Sequence, residues 1–160
     1  MKLNYVGIVG AILAWISIAL PWWSWSSSGL SGDVKLFDRG ILNLNLWYGW
    51  VALLFVLLGG LLGLAGSVMP NGKKILLGGG ILAVFAIIIF PIGFQMDLTR
   101  LDAPFGIFSS GTYPTYGFWL ELLAAIIMLL ALLYPQPIEQ APSPPPQTTE
   151  AQKLETSFDL

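Results

Sequence analysis

Residues 47–96 read WYGWVALLFVLLGGLLGLAGSVMPNGKKILLGGGILAVFAIIIFPIGFQM. Two uncharged apolar windows, 47–69 and 75–96, flank the polar turn Pro70-Asn71-Gly72-Lys73-Lys74. A bilayer core of about 30 Å takes roughly 20 apolar residues at about 1.5 Å rise each, so each window predicts one membrane-crossing helix. The same search outward finds two more, 3–23 and 116–134, and Glu121 is the only charged residue inside the four. All four are apolar on every face, a pattern that suits lipid and not water. The prediction is an all-α four-transmembrane-helix bundle over residues 1–135, with outer loops at 24–46 and 97–115.

Composition agrees with a lipid setting and narrows the chemistry. The 160 residues are 56% hydrophobic and only 10% charged, against about 25% charged in soluble domains. With no His and no Cys, imidazole acid–base catalysis, thiol nucleophiles, zinc ribbons, histidine-ligated haem and disulfides are excluded. Seven Lys and Arg in a chain of net charge −2 offer no basic surface for nucleic acid. No paired carboxylates, Gly-rich phosphate loop or activated serine is visible. A non-enzymatic protein without metal or cofactor is expected.

Orientation follows from cations in short loops. Lys2, Lys73 and Lys74 share one side, and Lys35, Arg39 and Arg100 the other, where Asp33, Asp38, Asp97 and Asp102 interleave with them. The count is a tie, but Lys2, Lys73 and Lys74 abut their spans while Lys35 and Arg39 lie well beyond Trp23. Both termini are therefore expected on the cytoplasmic side of a cell membrane. The first window is read as a retained span, because it exceeds the apolar core of a signal peptide and ends in Pro-Trp-Trp. Trp22, Trp23, Trp25, Trp47, Trp50 and Trp119 fall at the predicted outer helix ends, where Trp anchors to headgroups. They are the candidate surface for self-association or for contact with another membrane protein.

Placing Pro21 over Pro91 aligns Gly10 with Gly80, Trp15 with Phe85 and Leu20 with Phe90, and Tyr48-Gly49-Trp50 faces Tyr116-Gly117-Phe118 after a two-residue slip. This reads as a duplicated helical hairpin of parallel orientation, with chance resemblance of apolar segments as the alternative. In the first outer loop, residues 41–46 alternate apolar and amide side chains with period two, which predicts a strand. Residues 34–37 would pair with it across Asp38-Arg39-Gly40 as a small extracellular β-hairpin, with Phe105, Ile107 and Phe108 packed on it. Residues 136–160 are rich in Pro, Gln, Ser and Thr and are expected to be a disordered cytoplasmic tail.

Glu121 is the one carboxyl whose placement asks for a reason, since ionisable groups within a span are expensive. It is a candidate ion or proton site, or a partner for Arg100; alternatively it reaches the headgroups or bonds to a neighbouring helix. The four loop aspartates match no calcium loop, and local pairing with nearby cations is the expected use. Gly59 and Gly63, with Gly10 and Gly80, are candidate close-packing positions, and the first pair is also a candidate dimer seam. Pro91 is expected to kink the third helix.

Leu20-Pro21-Trp22-Trp23 closing the first span, a strand-bearing first outer loop and Leu46-Trp47 entering the second resemble the claudin and peripheral myelin tetraspan layout. That resemblance implies four helices, both termini inside and a sheet-forming first outer loop that mediates contacts between molecules. The chain departs from it in lacking the paired loop cysteines of claudins. It also resembles small prokaryotic and archaeal four-helix membrane proteins of unknown function whose first helix ends in Pro-Trp-Trp. The functional expectation is a non-enzymatic membrane protein acting in assembly or intermolecular contact. The alternatives are a small transporter or channel subunit using Glu121, or an accessory subunit of a larger complex.

Overall fold

The computed structural model describes residues 3–27, 30–38, 47–100 and 111–134. It is mostly helical, with a small three-stranded sheet. Chain order is α1 (Tyr5–Ala19), β1 (Trp23–Ser27), β2 (Leu30–Val34), α2 (Trp47–Val68), α3 (Lys73–Arg100), β3 (Thr112–Pro114) and α4 (Tyr116–Leu130), the last extended by a 3₁₀ turn, Ala131–Leu133.

Helix α1 starts at Asn4, whose side chain accepts from Gly7 N at 3.2 Å. It stops at Ala19 because Pro21 disfavours helical geometry in the residue before it, and Leu20 is extended at φ −91°, ψ 155°. Fifteen residues give about 22 Å, so the predicted first span of 3–23 is corrected to a shorter helix followed by extended chain. Three segments, Trp47–Val68, Lys73–Asp97 and Tyr116–Leu133, are long and apolar enough to cross a membrane. Helix α3 exceeds its predicted window at both ends and runs through Pro91. Between α2 and α3 the chain reverses tightly, with Asn71 at φ 59°, a left-handed conformation that Asn tolerates well.

The helices form a four-sided bundle in which α1 and α3 each pack against both α2 and α4. Their directions alternate. Asn4 N donates to Ser67 O at 3.1 Å and Asn4 Nδ2 to Ala131 O at 2.9 Å, so the start of α1 meets the ends of α2 and α4. The sheet occupies the opposite end.

Away from the sheet end, where large aromatic rings are buried, size is sorted largely in reverse of a water-soluble bundle. Helix α1 buries Gly7, Gly10, Ala11, Ala14 and Ser17 and turns Val9, Ile12 and Ile16 outward. Helix α2 buries Gly59, Gly60, Gly63 and Gly66 and exposes Leu54, Leu57, Leu58 and Leu61. Helices α3 and α4 likewise expose Ile81, Phe85, Ile88, Leu123, Ile126 and Leu130. Small residues inside permit close backbone approach, which is how helices associate where no water drives them together.

The sheet differs from the predicted hairpin. Strand β1 pairs antiparallel with β2 on one side (Trp23 opposite Val34) and with β3 on the other (Trp23 opposite Pro114). The hairpin thus lies upstream of residues 34–37, of which only Val34 is in a strand, and its third strand comes from the second loop. The predicted strand at 41–46, the aromatic residues Phe105 and Phe108 with Ile107, and the predicted tail lie outside the described residues. The aligned halves also differ locally: Pro21 follows a finished helix while Pro91 sits within one, and Tyr48 is fully buried while Tyr116 is 78% exposed.

Candidate functional site

At the sheet end, α1 gives way to Leu20-Pro21-Trp22-Trp23, and this segment is gripped from two sides. Trp22 N donates to Val34 O at 2.8 Å, while Pro21 O accepts from Gly117 N at 2.8 Å and from Thr115 Oγ1 at 2.6 Å. Thr115 N donates to Trp22 O at 3.1 Å. The start of α4 is thereby fastened to the end of α1. Gly117 is required at the crossing, because a Cβ there would lie 2.8 Å from Pro21 O.

The grip turns Trp22 and Trp23 inward. Both are fully buried, in a cluster with Phe90, Phe94, Phe118 and Tyr48 whose ring centroids lie 5.4 Å (Trp22–Phe90) to 6.5 Å (Tyr48–Phe94) apart. Trp22 Nε1 donates to Ser17 O at 3.0 Å. The expected six-tryptophan outer rim is therefore corrected. Two of its members are core, Trp25 is half-buried, and Trp47, Trp50 and Trp119 remain exposed. These three do not form one patch. Trp47 and Trp50 share a face of the first turn of α2, whereas Trp119 stands with Tyr116 on α4, across the bundle diagonal.

Glu121 lies on the inner face of α4, fully buried, against α1. Its Oε2 is 2.8 Å from Ser17 Oγ, which is also 2.7 Å from Ala14 O. Ser17 Oγ thus stands between its own helix's Ala14 O and the Glu121 carboxyl. The side chain bonds to a neighbouring helix and does not reach outward. The side chain of Arg100, its other predicted partner, is outside the described set. Oε1 has no hydrogen-bond partner among the described residues.

The small residues act within the chain. A Cβ on Gly59 would meet Gly79 O at 3.0 Å, one on Gly63 the Sδ of Met128 at 2.6 Å, one on Gly10 Met128 Cγ at 2.7 Å, and one on Gly80 Leu129 Cδ2 at 2.8 Å. Gly59 and Gly63 thus form an internal seam, and the predicted dimer seam is corrected accordingly. Asp33 accepts from Ser24 Oγ, and Asp38 Oδ2 accepts from Lys35 N at 2.7 Å. Among the described residues no cluster of three or more carboxylates gathers.

Ser17, Ser24 and Thr115 were not singled out from sequence. Thr115 carried a signal, a threonine just before an apolar helical run, the usual place of a helix cap. Its hydroxyl bonds across the fold instead of capping α4. Ser17 and Ser24 carried none, because their partners are set by tertiary packing. No protein-family model and no curated protein matches this chain.

Proposed function

We propose that the chain is a non-enzymatic integral membrane protein, crossing the bilayer four times with both termini cytoplasmic. In this reading it acts in membrane-protein assembly through its outer aromatic face. The observation that carries the reading is that every helix turns large apolar side chains outward, such as Ile12 and Ile16, Leu57 and Leu61, Ile81 and Phe85, and Leu123 and Ile126, while glycine and alanine fill much of the interface between them. A surface of that kind is stable in lipid and an aggregation hazard in water. Helix α1 is short, and the extended residues 20–23, sheltered by the sheet and α4, complete its crossing.

Within the outer face, Trp47 and Trp50 are the contact residues. They are 51% and 43% exposed on one face, and no part of the aromatic core depends on Trp50. Aromatic anchors of this type dominate interface energies. In blue native electrophoresis and crosslinking from native membranes, replacing both Trp47 and Trp50 by Ala is expected to abolish an associated complex while leaving the protein folded. An unchanged complex would refute the contact role.

The second reading rests on Glu121, a fully buried carboxyl with one oxygen that has no hydrogen-bond partner among the described residues, as an ion or proton site of a small transporter. Glu121→Gln separates the readings: loss of ion-coupled flux in proteoliposomes supports transport, and intact assembly without any flux supports the first. An accessory subunit of a larger complex is the form the first reading takes if the partner is another protein.

A further inference from the structure

The register of the sheet sets Asp33, Ser24 and Tyr113 in one row across β2, β1 and β3. Partners in register share a face, and Trp23 and Val34, one position along, point into the core. The row therefore lies on the outer side of the sheet. Beside it, Tyr116 and Trp119 project from the first turn of α4, and together these side chains line a cleft of about 380 Å³. Tyr113, Tyr116 and Trp119 are 55%, 78% and 55% exposed.

A second concavity of about 480 Å³, walled by Leu20, Leu120 and Leu123, shares Tyr116 and Trp119 with this cleft. The composite site has the Asp33 carboxylate and the rings of Tyr113, Tyr116 and Trp119 on its sheet side and the aliphatic side chains of Leu20, Leu120 and Leu123 beyond them. Among the described residues no Lys or Arg lines either part. Lys35, two residues past Asp33 and just beyond β2, is placed over the Phe37 ring at 5.7 Å.

We infer that this composite cleft binds a lipid with an ammonium-bearing headgroup, the cation held between Asp33 and the rings of Tyr113, Tyr116 and Trp119, and one acyl chain laid along Leu20, Leu120 and Leu123. Aromatic faces attract organic cations through their quadrupole, and a carboxylate adds a charge of the required sign. Ser24 Oγ donates to Asp33 Oδ1 and holds that carboxylate in the cleft wall. A bare calcium ion is poorly served, because it needs six to eight oxygen ligands. An anionic headgroup would meet Asp33 with no cation among the described lining residues to offset it. The inference goes beyond the assembly reading and uses the opposite corner of the bundle from Trp47 and Trp50.

The test is native mass spectrometry of the full chain in maltoside micelles with an equimolar mixture of phosphatidylethanolamine, phosphatidylcholine and phosphatidylglycerol of identical acyl chains. The two ammonium lipids should be retained over phosphatidylglycerol by about fivefold, the scale of exposed cation–π and carboxylate contacts. Asp33→Asn, which preserves an acceptor for Ser24, and Trp119→Leu should each bring the ratio close to one. Trp47→Ala should leave it intact, which keeps failure here distinct from failure of the assembly reading. Equal retention of phosphatidylglycerol, or a preference that survives both Asp33→Asn and Trp119→Leu, would overturn the inference. So would binding of tetramethylammonium by the wild type without selective lipid retention, because it would assign the cleft to a free organic cation.

Discussion

Adjacent residues in this chain differ sharply in what they tolerate. A Cβ on Gly78 would meet nothing closer than Leu62 Cδ1 at 3.7 Å, while one on Gly79 would fall 2.6 Å from Gly63 N and 2.7 Å from Gly59 O. The second clash is with backbone, which cannot swing aside. Gly79→Ala is expected to cost about 1–3 kcal/mol through overpacking, and Gly78→Ala to be neutral or to stabilise by up to about 1 kcal/mol from helix propensity. Reversible unfolding in mixed micelles checks both. At the α1–α4 seam, Ser17→Ala should cost about 1 kcal/mol by depriving Glu121 Oε2 of its partner, and Glu121→Gln less, since an amide can still bond to Ser17. An equal cost for the two would contradict the assigned pairing. The partner of Glu121 was not legible in sequence. Ser17 lies 104 residues away, and nothing local marks it as facing that carboxyl.

At the scale of elements, the helices were legible because window length and polarity alone predict them, and α2 ends within a residue of its expected boundary. Helix α1 was overextended because hydropathy continues through Trp23 while backbone geometry does not. Pro21 ends the helix, and apolar residues then serve an extended segment. The pairing of β1 with β2 went unread for a related reason. Trp23, Ser24, Trp25 and Ser26 alternate with period two, a strand signal, but tryptophans beside a span also read as headgroup anchors. The β1–β3 pairing joins residues about ninety apart in the chain and leaves no local trace. Because Trp22, just before β1, is part of the buried aromatic core, Trp22→Ala should destabilise by about 3–5 kcal/mol, and Trp47→Ala by no more than about 0.5 kcal/mol. If the two changes shifted the unfolding midpoint equally, the division of the tryptophans into core and surface would be wrong. Thr115→Val, which removes the bond to Pro21 O, should cost about 1 kcal/mol and loosen the sheet end before the glycine-packed end, as read by hydrogen exchange.

At the scale of the whole molecule, the bundle has two unlike ends. One is closed by glycine contacts and the turn bearing Lys73 and Lys74, and the other is filled with aromatic rings and covered by strands from two loops. The assembly and lipid readings both draw on the second end. They also require it to face the opposite side of a membrane from the first. The chain has no cysteine, so single introduced cysteines report sidedness without background. The most direct measurement is maleimide labelling of Lys2→Cys, Ser31→Cys, Lys74→Cys and Lys153→Cys in intact cells before and after permeabilisation. Labelling of Ser31→Cys from outside, with the other three reacting only after permeabilisation, is the predicted result. Lys2→Cys and Lys153→Cys reacting from opposite sides, or recovery of the protein in the soluble fraction, would contradict four crossings.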